Sequence, residues 1–259
     1  VRTLGMEVIA LGKGKNSPLD RAATPDAVAD AAQRFGMDPF QVAYWNDGSK
    51  TMFEMACAAN ATGCVPARRG MTGPVATRET VSQVFALAED GGTVPFPGVV
   101  DFAQGPGLAG TVFVTVRVPD PAIRAIVQYL PGWNGEYYTF VRPYHLGAIE
   151  APITIARAVL HRQVTLTPFD RPVADVLTVA KRDLQPGDTL DDFGGYTCYG
   201  VIDRAKVARE ENALPLGLAP GAQVVRAVKA GALITWNDVA LDEGSIVIRL
   251  RREQDTDNY

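Results

Sequence analysis

Short apolar runs alternate with segments of helical spacing through the first 165 residues. The apolar runs predict strands at residues 7–11, 41–45, 98–102, 111–118 and 137–141. Helical spacing is found at residues 27–35, 77–87, 120–130 and 150–161. The strands at 98–102 and 111–118 are expected to be neighbours, and the run at 41–45 is expected to lead through a polar turn into a helix. This order predicts an α/β-type domain with a mixed sheet and flanking helices.

The pattern changes near residue 166. Short β runs then alternate with glycine turns, the last run being residues 245–250 (SIVIRL), and one short helix is predicted at residues 203–212. The polar tail at 251–259 is expected to fray. We therefore predict a small, mostly-β domain at residues 166–259, which makes the whole chain α+β.

Composition narrows the classes of partner and compartment. The 259 residues carry a net charge of −4, so neither nucleic acid nor an anionic membrane surface is expected to bind. No window approaches the roughly 20 apolar residues of a membrane span. The three cysteines are odd in number and lack a C-x-x-C spacing, which indicates reduced thiols in a cytoplasmic protein.

A charged stripe stands out within the apolar stretch at residues 42–63. Asp47, Lys50 and Glu54 are spaced i, i+3 and i+7, so one helical stripe would project all three side chains the same way. Two carboxylates and an amine there form a candidate catalytic site, and the carboxylates are also suitable ligands for Mg²⁺ or Mn²⁺. The alternative is an exposed structural salt bridge.

Three further polar clusters follow predicted strands or lie in glycine-rich loops. They are residues 12–16 (Gly12, Lys13, Gly14, Lys15, Asn16), the loop with Arg68 and Arg69, and the cluster Arg142, Tyr144 and His145. Glycines permit close approach of a ligand, and the cationic side chains can bind anions. Each cluster can equally be a solvated loop or a structural corner. Gly105, Gly107 and Gly110 match G-x-G-x-x-G, but they precede a strand and not a helix, so we predict a turn and not a dinucleotide site.

With these clusters in place, the sequence resembles the homoserine-dehydrogenase-like oxidoreductases that carry a C-terminal SAF domain. It is most similar to their DXR-like branch of reductoisomerases. The resembling segments are GKGKN (12–16), DGSKTMFEMACAANATG (47–63), RRGMTGP (68–74), VRPYHL (141–146), AKRDLQPGDTLDDFGGYTCYG (180–200) and ENALPLGL (211–218).

The resemblance implies an activity: NADP(H)-dependent conversion of 1-deoxy-D-xylulose 5-phosphate to 2-C-methyl-D-erythritol 4-phosphate. It implies a tail of an N-terminal cofactor domain at residues 1–16, a catalytic domain at 17–165 and a SAF-like domain at 166–259, with an upstream portion absent from this sequence. A homo-oligomer is expected by analogy.

Roles follow from this resemblance for the residues already singled out. Asp47 and Glu54 would bind the metal or act as acid and base, and Lys50 would polarise a carbonyl. Lys13 and Lys15 would assist the hydride step beside Gly12, Gly14 and Asn16 at the cofactor. The substrate phosphate would bind Arg142, Tyr144 and His145, with Arg68 or Arg69.

Two other functions are open at this point. One is a homoserine-type NAD(P)-dependent dehydrogenase of a small hydroxy or oxo acid, which needs neither a metal nor a phosphate clamp. The other is a non-catalytic SAF-type module that recognises a sugar or mediates oligomerisation.

Overall fold

The computed structural model describes residues 1–15, 17–168 and 171–256. The chain forms two compact units: Val1–Asn16 with Cys57–Pro172, and Ser17–Ala56 with Val173–Tyr259. This division differs from the predicted boundaries at residues 16 and 165, because residues 17–56 pack with the C-terminal part of the chain. None of the described helices is long and apolar enough to cross a membrane.

The first unit is built on a five-stranded mixed sheet. Its strands are β1 (Glu7–Gly14), β2 (Val65–Pro66), β3 (Val99–Ala103), β4 (Val112–Arg117) and β5 (Tyr137–Arg142). The order is β2-β3-β1-β4-β5, with β1, β2 and β3 parallel, β4 antiparallel to β1, and β5 antiparallel to β4. Four predicted strands are confirmed, but β1 lies between β3 and β4, which are therefore not neighbours. The glycine-rich connection from β3 to β4 is a turn, as predicted.

Three helices accompany this sheet: α4 (Val81–Val84), α5 (Pro121–Val127) and α6 (Gly147–His161). The core combines sheet residues such as Ile9 and Phe113 with Phe85 and Leu87 from the segment after β2. Of the helix predicted at residues 77–87, only α4 (Val81–Val84) is helical. The hydroxyl groups of Thr77 and Thr80 bond to the backbone at positions 77–80, which favours a turn over a helix there.

The second unit combines helices with small β-sheets. It contains α1 (Ala29–Phe35), α2 (Pro39–Asn46), most of α3 (Ser49–Thr62), α7 (Ala205–Glu210) and α8 (Ile246–Thr256). Two antiparallel pairs accompany them, β6 (Ala174–Ala180) with β7 (Cys198–Arg204), and β8 (Gln223–Val224) with β9 (Val239–Ala240). The predicted helix at residues 203–212 is confirmed as α7. Together, the two units make the protein α+β, as predicted.

Two strand predictions in this unit are wrong. Residues 41–45 belong to α2, because the Asp38 carboxylate accepts a hydrogen bond from Phe40 N–H and Pro39 occupies the first turn. Residues 246–250 form the first part of α8, and the ion pair between Arg251 and Asp255 supports this helix. The predicted frayed tail is therefore helical as far as Thr256, and residues 257–259 lie outside the described part.

Candidate active site

The topology of the first unit collects the carboxyl ends of four strands at one edge of its sheet. β5 runs parallel to β1, because each is antiparallel to β4 between them. The register places Lys13 level with Phe102 of β3 and Val112 of β4, and Val112 level with Arg142 of β5. We call this edge, with Lys13, Lys15, the 68–74 loop, Arg142 and His145, the carboxyl edge. Three of the predicted polar clusters thus share one edge.

Lys13 lies at the centre of the carboxyl edge. Neighbouring strands are about 4.8 Å apart, so the backbone at Arg142 is about 10 Å from Lys13 across β4. On the other side, across β3, β2 ends at Pro66 level with Leu11 and leads into the 68–74 loop. A small substrate that reaches Lys13 could therefore contact a flanking cationic cluster at its far end.

Lys13 and Lys15 are buried, with 5% and 6% of their surfaces exposed. The backbone holds them there: Lys15 N–H donates to Ala103 O at 2.8 Å, and Gly14 N–H donates to Thr111 O at 3.0 Å. Lysine is almost never fully buried without an electrostatic or chemical reason. Two buried ammonium groups at a sheet edge can stabilise negative charge on substrate oxygens.

The 68–74 loop is anchored by a buried carboxylate. Asp101 accepts hydrogen bonds from the backbone N–H groups of Thr72, Gly73 and Phe102, at 2.8–3.2 Å. Burial raises the pKa of Asp101, although these hydrogen bonds act in the opposite direction. Arg68 and Arg69 are exposed on the anchored loop, and Arg68 Nε donates to Met71 O at 3.0 Å.

The cluster after β5 is already organised by contacts within the protein. Arg142 pairs with Glu150, and its guanidinium lies 5.2 Å from the centre of the Tyr144 ring. The Leu146 N–H group and Arg142 lower the pKa of Glu150, which keeps it ionised. His145 Nδ1 lies 2.9 Å from Gly110 O, so Nδ1 carries the proton because a carbonyl can only accept. An anion at Arg142 would have to compete with Glu150.

The glycines of the 12–16 cluster are explained by packing. A Cβ atom at Gly12 would lie 2.1 Å from Asp101 O, and one at Gly14 would lie 1.6 Å from Leu108 O. Both positions face neighbouring backbone, which does not fit the open cradle that a nucleotide needs. Asn16 lies outside the described residues. Cofactor binding by this cluster stays a prediction without geometric support.

The charged stripe Asp47, Lys50 and Glu54 divides into two separate groups in the second unit. Lys50 and Glu54 form an i, i+4 ion pair on α3 and are partly exposed. Asp47 precedes α3 in a helix-to-helix elbow, where Gly48 has φ +84°. Its buried carboxylate accepts from Ser49 N–H at 2.8 Å. The expected strand-to-helix turn is absent because residues 41–45 are helical.

Lys181 is the partner of Asp47, and the charged stripe gave no indication of it. Its buried ammonium lies 2.9 Å from Asp47 Oδ2, while its aligned hydrogen bonds go to the carbonyl oxygens of Ala23 (2.7 Å) and Gly195 (2.8 Å). Arg21 adds hydrogen bonds to Asp47 O at 2.8 Å and Gly200 O at 3.1 Å. Asp47 therefore stabilises the elbow of the second unit.

These contacts decide whether the predicted metal ligands fit a metal. Asp47 forms an ion pair with Lys181, and Glu54 forms one with Lys50. Within the described ranges, no group of three or more His, Cys, Asp or Glu side chains is arranged to hold a metal ion. Asp47 and Glu54 do not fit a shared Mg²⁺ or Mn²⁺ site, and we derive no step through one.

Nucleophilic catalysis by Cys198, whose thiol is influenced by Asp47 and Lys181, does not fit either. Burial raises the pKa of the Cys198 thiol to about 12. A thiol with that pKa is almost entirely protonated at neutral pH, and the thiolate is the reactive form. Cys198 is therefore a packing residue.

Comparison with known proteins identifies the family of the chain. A family model described as oxidoreductase DRL, catalytic domain, matches residues 1–151. A search of curated proteins gave no match. The matched range includes every residue of the carboxyl edge and more than half of the 259 residues. The chain therefore belongs to the DRL family of oxidoreductases.

Proposed function

We propose that this protein is an NADP(H)-dependent reductoisomerase that converts 1-deoxy-D-xylulose 5-phosphate to 2-C-methyl-D-erythritol 4-phosphate. The DRL family is the basis for the oxidoreductase class. The observation that carries the substrate proposal is the presence of the buried Lys13 and Lys15 at the same end of the sheet as the Arg68/Arg69 loop and Arg142. This arrangement suits a short substrate with a carbonyl at one end and a phosphate at the other.

The two ends of that substrate need different groups. Arg68 and Arg69 are our choice for the phosphate, because they are exposed on an anchored loop and arginine offers a fork of donors. Arg142 is the weaker choice because Glu150 already occupies it. The carbonyl and hydroxyl oxygens would then lie against Lys13 and Lys15.

The lysines would act on charge that develops during the rearrangement. Breaking and remaking a carbon–carbon bond next to a carbonyl places negative charge on substrate oxygens, which an ammonium stabilises. When the resulting aldehyde is reduced, its oxygen needs a proton, and a lysine ammonium in contact with that oxygen can supply it. The hydride comes from the nicotinamide, and no described residue is assigned to hold it.

A second candidate is a homoserine-type dehydrogenase of a small hydroxy or oxo acid. The observation that favours it is the engagement of Asp47 and Glu54 in separate ion pairs, because this reaction needs no metal at those residues. Lys13 and Lys15 would again protonate the reduced oxygen. The substrate that the enzyme turns over separates the two candidates.

The first part of the test measures enzymatic activity of the purified full chain. NADPH oxidation is followed with 1-deoxy-D-xylulose 5-phosphate, with and without Mn²⁺, and the product is identified by mass spectrometry. Lys13→Met and Lys15→Met are compared with Lys206→Met, which removes an exposed lysine. We expect kcat to fall about 10²–10⁴-fold in at least one of the first two variants and to be unchanged in the control. Oxidation of homoserine with reduction of NADP⁺, in place of turnover of the sugar phosphate with NADPH, would favour the second candidate.

The binding arm needs no hydride transfer. Calorimetry measures the affinity for 1-deoxy-D-xylulose 5-phosphate in the wild type and in Arg68→Gln and Arg69→Gln. Loss of a charge-assisted contact predicts about 10–100-fold weaker binding in at least one variant. Unchanged affinity in both, or no binding by the wild type, would contradict the proposed phosphate clamp.

A further inference from the structure

The 68–74 loop has a strained backbone at its centre. Gly70, Met71 and Gly73 have φ angles of +74°, +63° and +61°, all in the left-handed region. Glycine adopts such angles readily, whereas the Cβ atom of Met71 makes this region costly. A strained residue persists only where the surrounding structure fixes it, and such residues are concentrated at functional sites. The contacts that fix Met71 therefore bear on what the loop does.

The carboxylate of Asp101 holds the centre of the loop. Asp101 lies on β3, is 5% exposed, and accepts from the N–H groups of Thr72 at 3.1 Å and Gly73 at 2.9 Å. These donors are the first two N–H groups after Met71. Successive N–H groups in a turn can form a concave site for an anion, and here the anion is a side chain of the same unit. Asp101 thereby fixes the backbone on the C-terminal side of Met71.

The C-terminal end of the loop is attached to the same strand. A Cβ atom at Gly73 would lie 2.2 Å from the Phe102 ring, so the backbone approaches β3 as closely as glycine allows. Just beyond β3, Gln104 Nε2 donates to Gly73 O at 2.7 Å, and Gln104 N–H donates to Pro74 O at 2.9 Å. Asp101 extends this attachment as far as Thr72.

One peptide group connects Asp101 to Arg68. The peptide between Met71 and Thr72 donates its N–H to Asp101, and its carbonyl oxygen accepts from Arg68 Nε at 3.0 Å. A peptide group is planar, so the direction of its N–H determines the direction of its carbonyl. Holding the N–H at Asp101 therefore fixes the carbonyl that holds Arg68.

The guanidinium of Arg68 keeps the donors that a phosphate needs. The bond from Nε uses one of its five N–H donors, and the other four belong to the two Nη groups. Two such groups in one plane can form a fork on a phosphate. Because Arg68 is exposed, a ligand can reach this fork.

We propose that Asp101 is a positioning residue for phosphate binding, which orients the Arg68 guanidinium through the Met71–Thr72 peptide group. This inference rests on the proposed function, in which the 68–74 loop binds the substrate phosphate. It goes further by assigning the phosphate to Arg68 and not to Arg69, and by giving a buried carboxylate of β3 a role in affinity.

Calorimetry of the full chain with 1-deoxy-D-xylulose 5-phosphate tests the proposal. Asp101→Asn preserves the size of the side chain but places an NH₂ group where Oδ2 accepts from Thr72 N–H at 3.2 Å. We expect about tenfold weaker binding, because Arg68 loses its fixed orientation. An electrostatic effect alone has the opposite sign, since removing a negative charge near an anion strengthens binding. Unchanged or tighter binding by a folded Asp101→Asn variant would overturn the proposal.

Steady-state kinetics show which step Asp101 affects. In the NADPH assay, Asp101→Asn should raise KM about tenfold and change kcat less than about threefold, because the phosphate is bound alike in the ground state and the transition state. A loss confined to kcat would contradict a role in holding the phosphate.

A double-variant cycle tests whether Asp101 acts through Arg68. Arg68→Gln alone should weaken binding about tenfold or more, and adding Asp101→Asn should change the affinity less than about threefold, because the positioned group is already absent. Losses that simply multiply would refute the connection. Arg68→Lys changes only an exposed residue, keeps the charge and has no Nε–H for Met71 O. It should weaken binding at least about fivefold, and an unchanged affinity would also refute the connection.

Ser82→Ala is the matched control for a loss of stability. It removes a buried hydroxyl that donates to Gly132 O at 2.9 Å and to Thr139 Oγ1 at 3.1 Å, elsewhere in the same unit. The variant should lower the urea midpoint and leave the affinity for the sugar phosphate unchanged. A loss of affinity equal to that of Asp101→Asn would reduce Asp101 to a structural residue.

Failure of the proposed function gives a different result from failure of this inference. No binding by the wild type, or unchanged affinity in both Arg68→Gln and Arg69→Gln, overturns the phosphate clamp and this inference with it. Weaker binding in Arg69→Gln alone overturns only the role of Asp101 and Arg68. Circular dichroism establishes that each variant compared is folded.

Discussion

Lys181→Met is expected to destabilise the second unit strongly. The substitution removes an ammonium that is 2% exposed and lies 2.9 Å from the fully buried Asp47 carboxylate. It also removes the donor to two carbonyl oxygens, those of Ala23 and Gly195. Removing one partner of a buried ion pair costs about 3–5 kcal/mol, because the other charge stays buried without compensation. That loss is a large part of the total stability of a typical domain, about 5–15 kcal/mol.

Urea unfolding, followed by far-UV circular dichroism and tryptophan fluorescence, measures the effect. The control is Lys229→Met, which removes the same side chain from an exposed pair with Asp183 at 2.7 Å and should leave the midpoint unchanged. The double variant Asp47→Asn/Lys181→Met should be more stable than the sum of the single changes predicts, by about 1–3 kcal/mol. Equal, small effects of Lys181→Met and Lys229→Met would refute the assignment of Asp47 to a buried structural pair.

Two further predictions concern the carboxyl edge and its supports. Burial raises the pKa of Asp101, so the folded state holds its proton more tightly and stability should fall as the pH rises from the unfolded pKa of about 4 through the raised folded pKa. Asp101→Asn should flatten that slope in urea titrations at several pH values, and an unchanged slope would contradict the reasoning. Gly14→Ala places a Cβ atom 1.6 Å from Leu108 O and should cost at least about 2 kcal/mol of stability in urea unfolding. Gly147→Ala, with open space around its Cβ, should be neutral or slightly stabilising in the same assay.

Local patterns predicted the elements of the first unit well. The apolar runs that form β1, β3, β4 and β5 are short, and the turns between them contain glycine and proline. Hydrophobic period and turn residues therefore indicate the same strand boundaries. The same reasoning rejected the glycine-rich turn before β4 as a dinucleotide site. The prediction is wrong at residues 41–45, where a short apolar run has no decisive period and the helix is set by the cap formed by Asp38 and Pro39.

The candidate site was predictable only in part. The sequence places Lys13, Lys15 and Arg142 at the ends of strands, because an apolar run and the polar residues that follow it are local features. It does not order the strands, since pairing depends on which apolar faces pack together. The order β2-β3-β1-β4-β5 is what puts Lys13 at the centre of the edge.

For the charged stripe, unlike the strand ends, local sequence did not identify the decisive partner. The sequence by itself determined that Asp47, Lys50 and Glu54 are charged positions in an apolar stretch, and helical spacing correctly joined Lys50 to Glu54. Only the tertiary structure decided that the turn at Asp47 joins two helices and that Asp47 faces Lys181, far along the chain. A buried charge takes whichever partner the packed fold brings to it, and spacing along one helix carries no information about that partner.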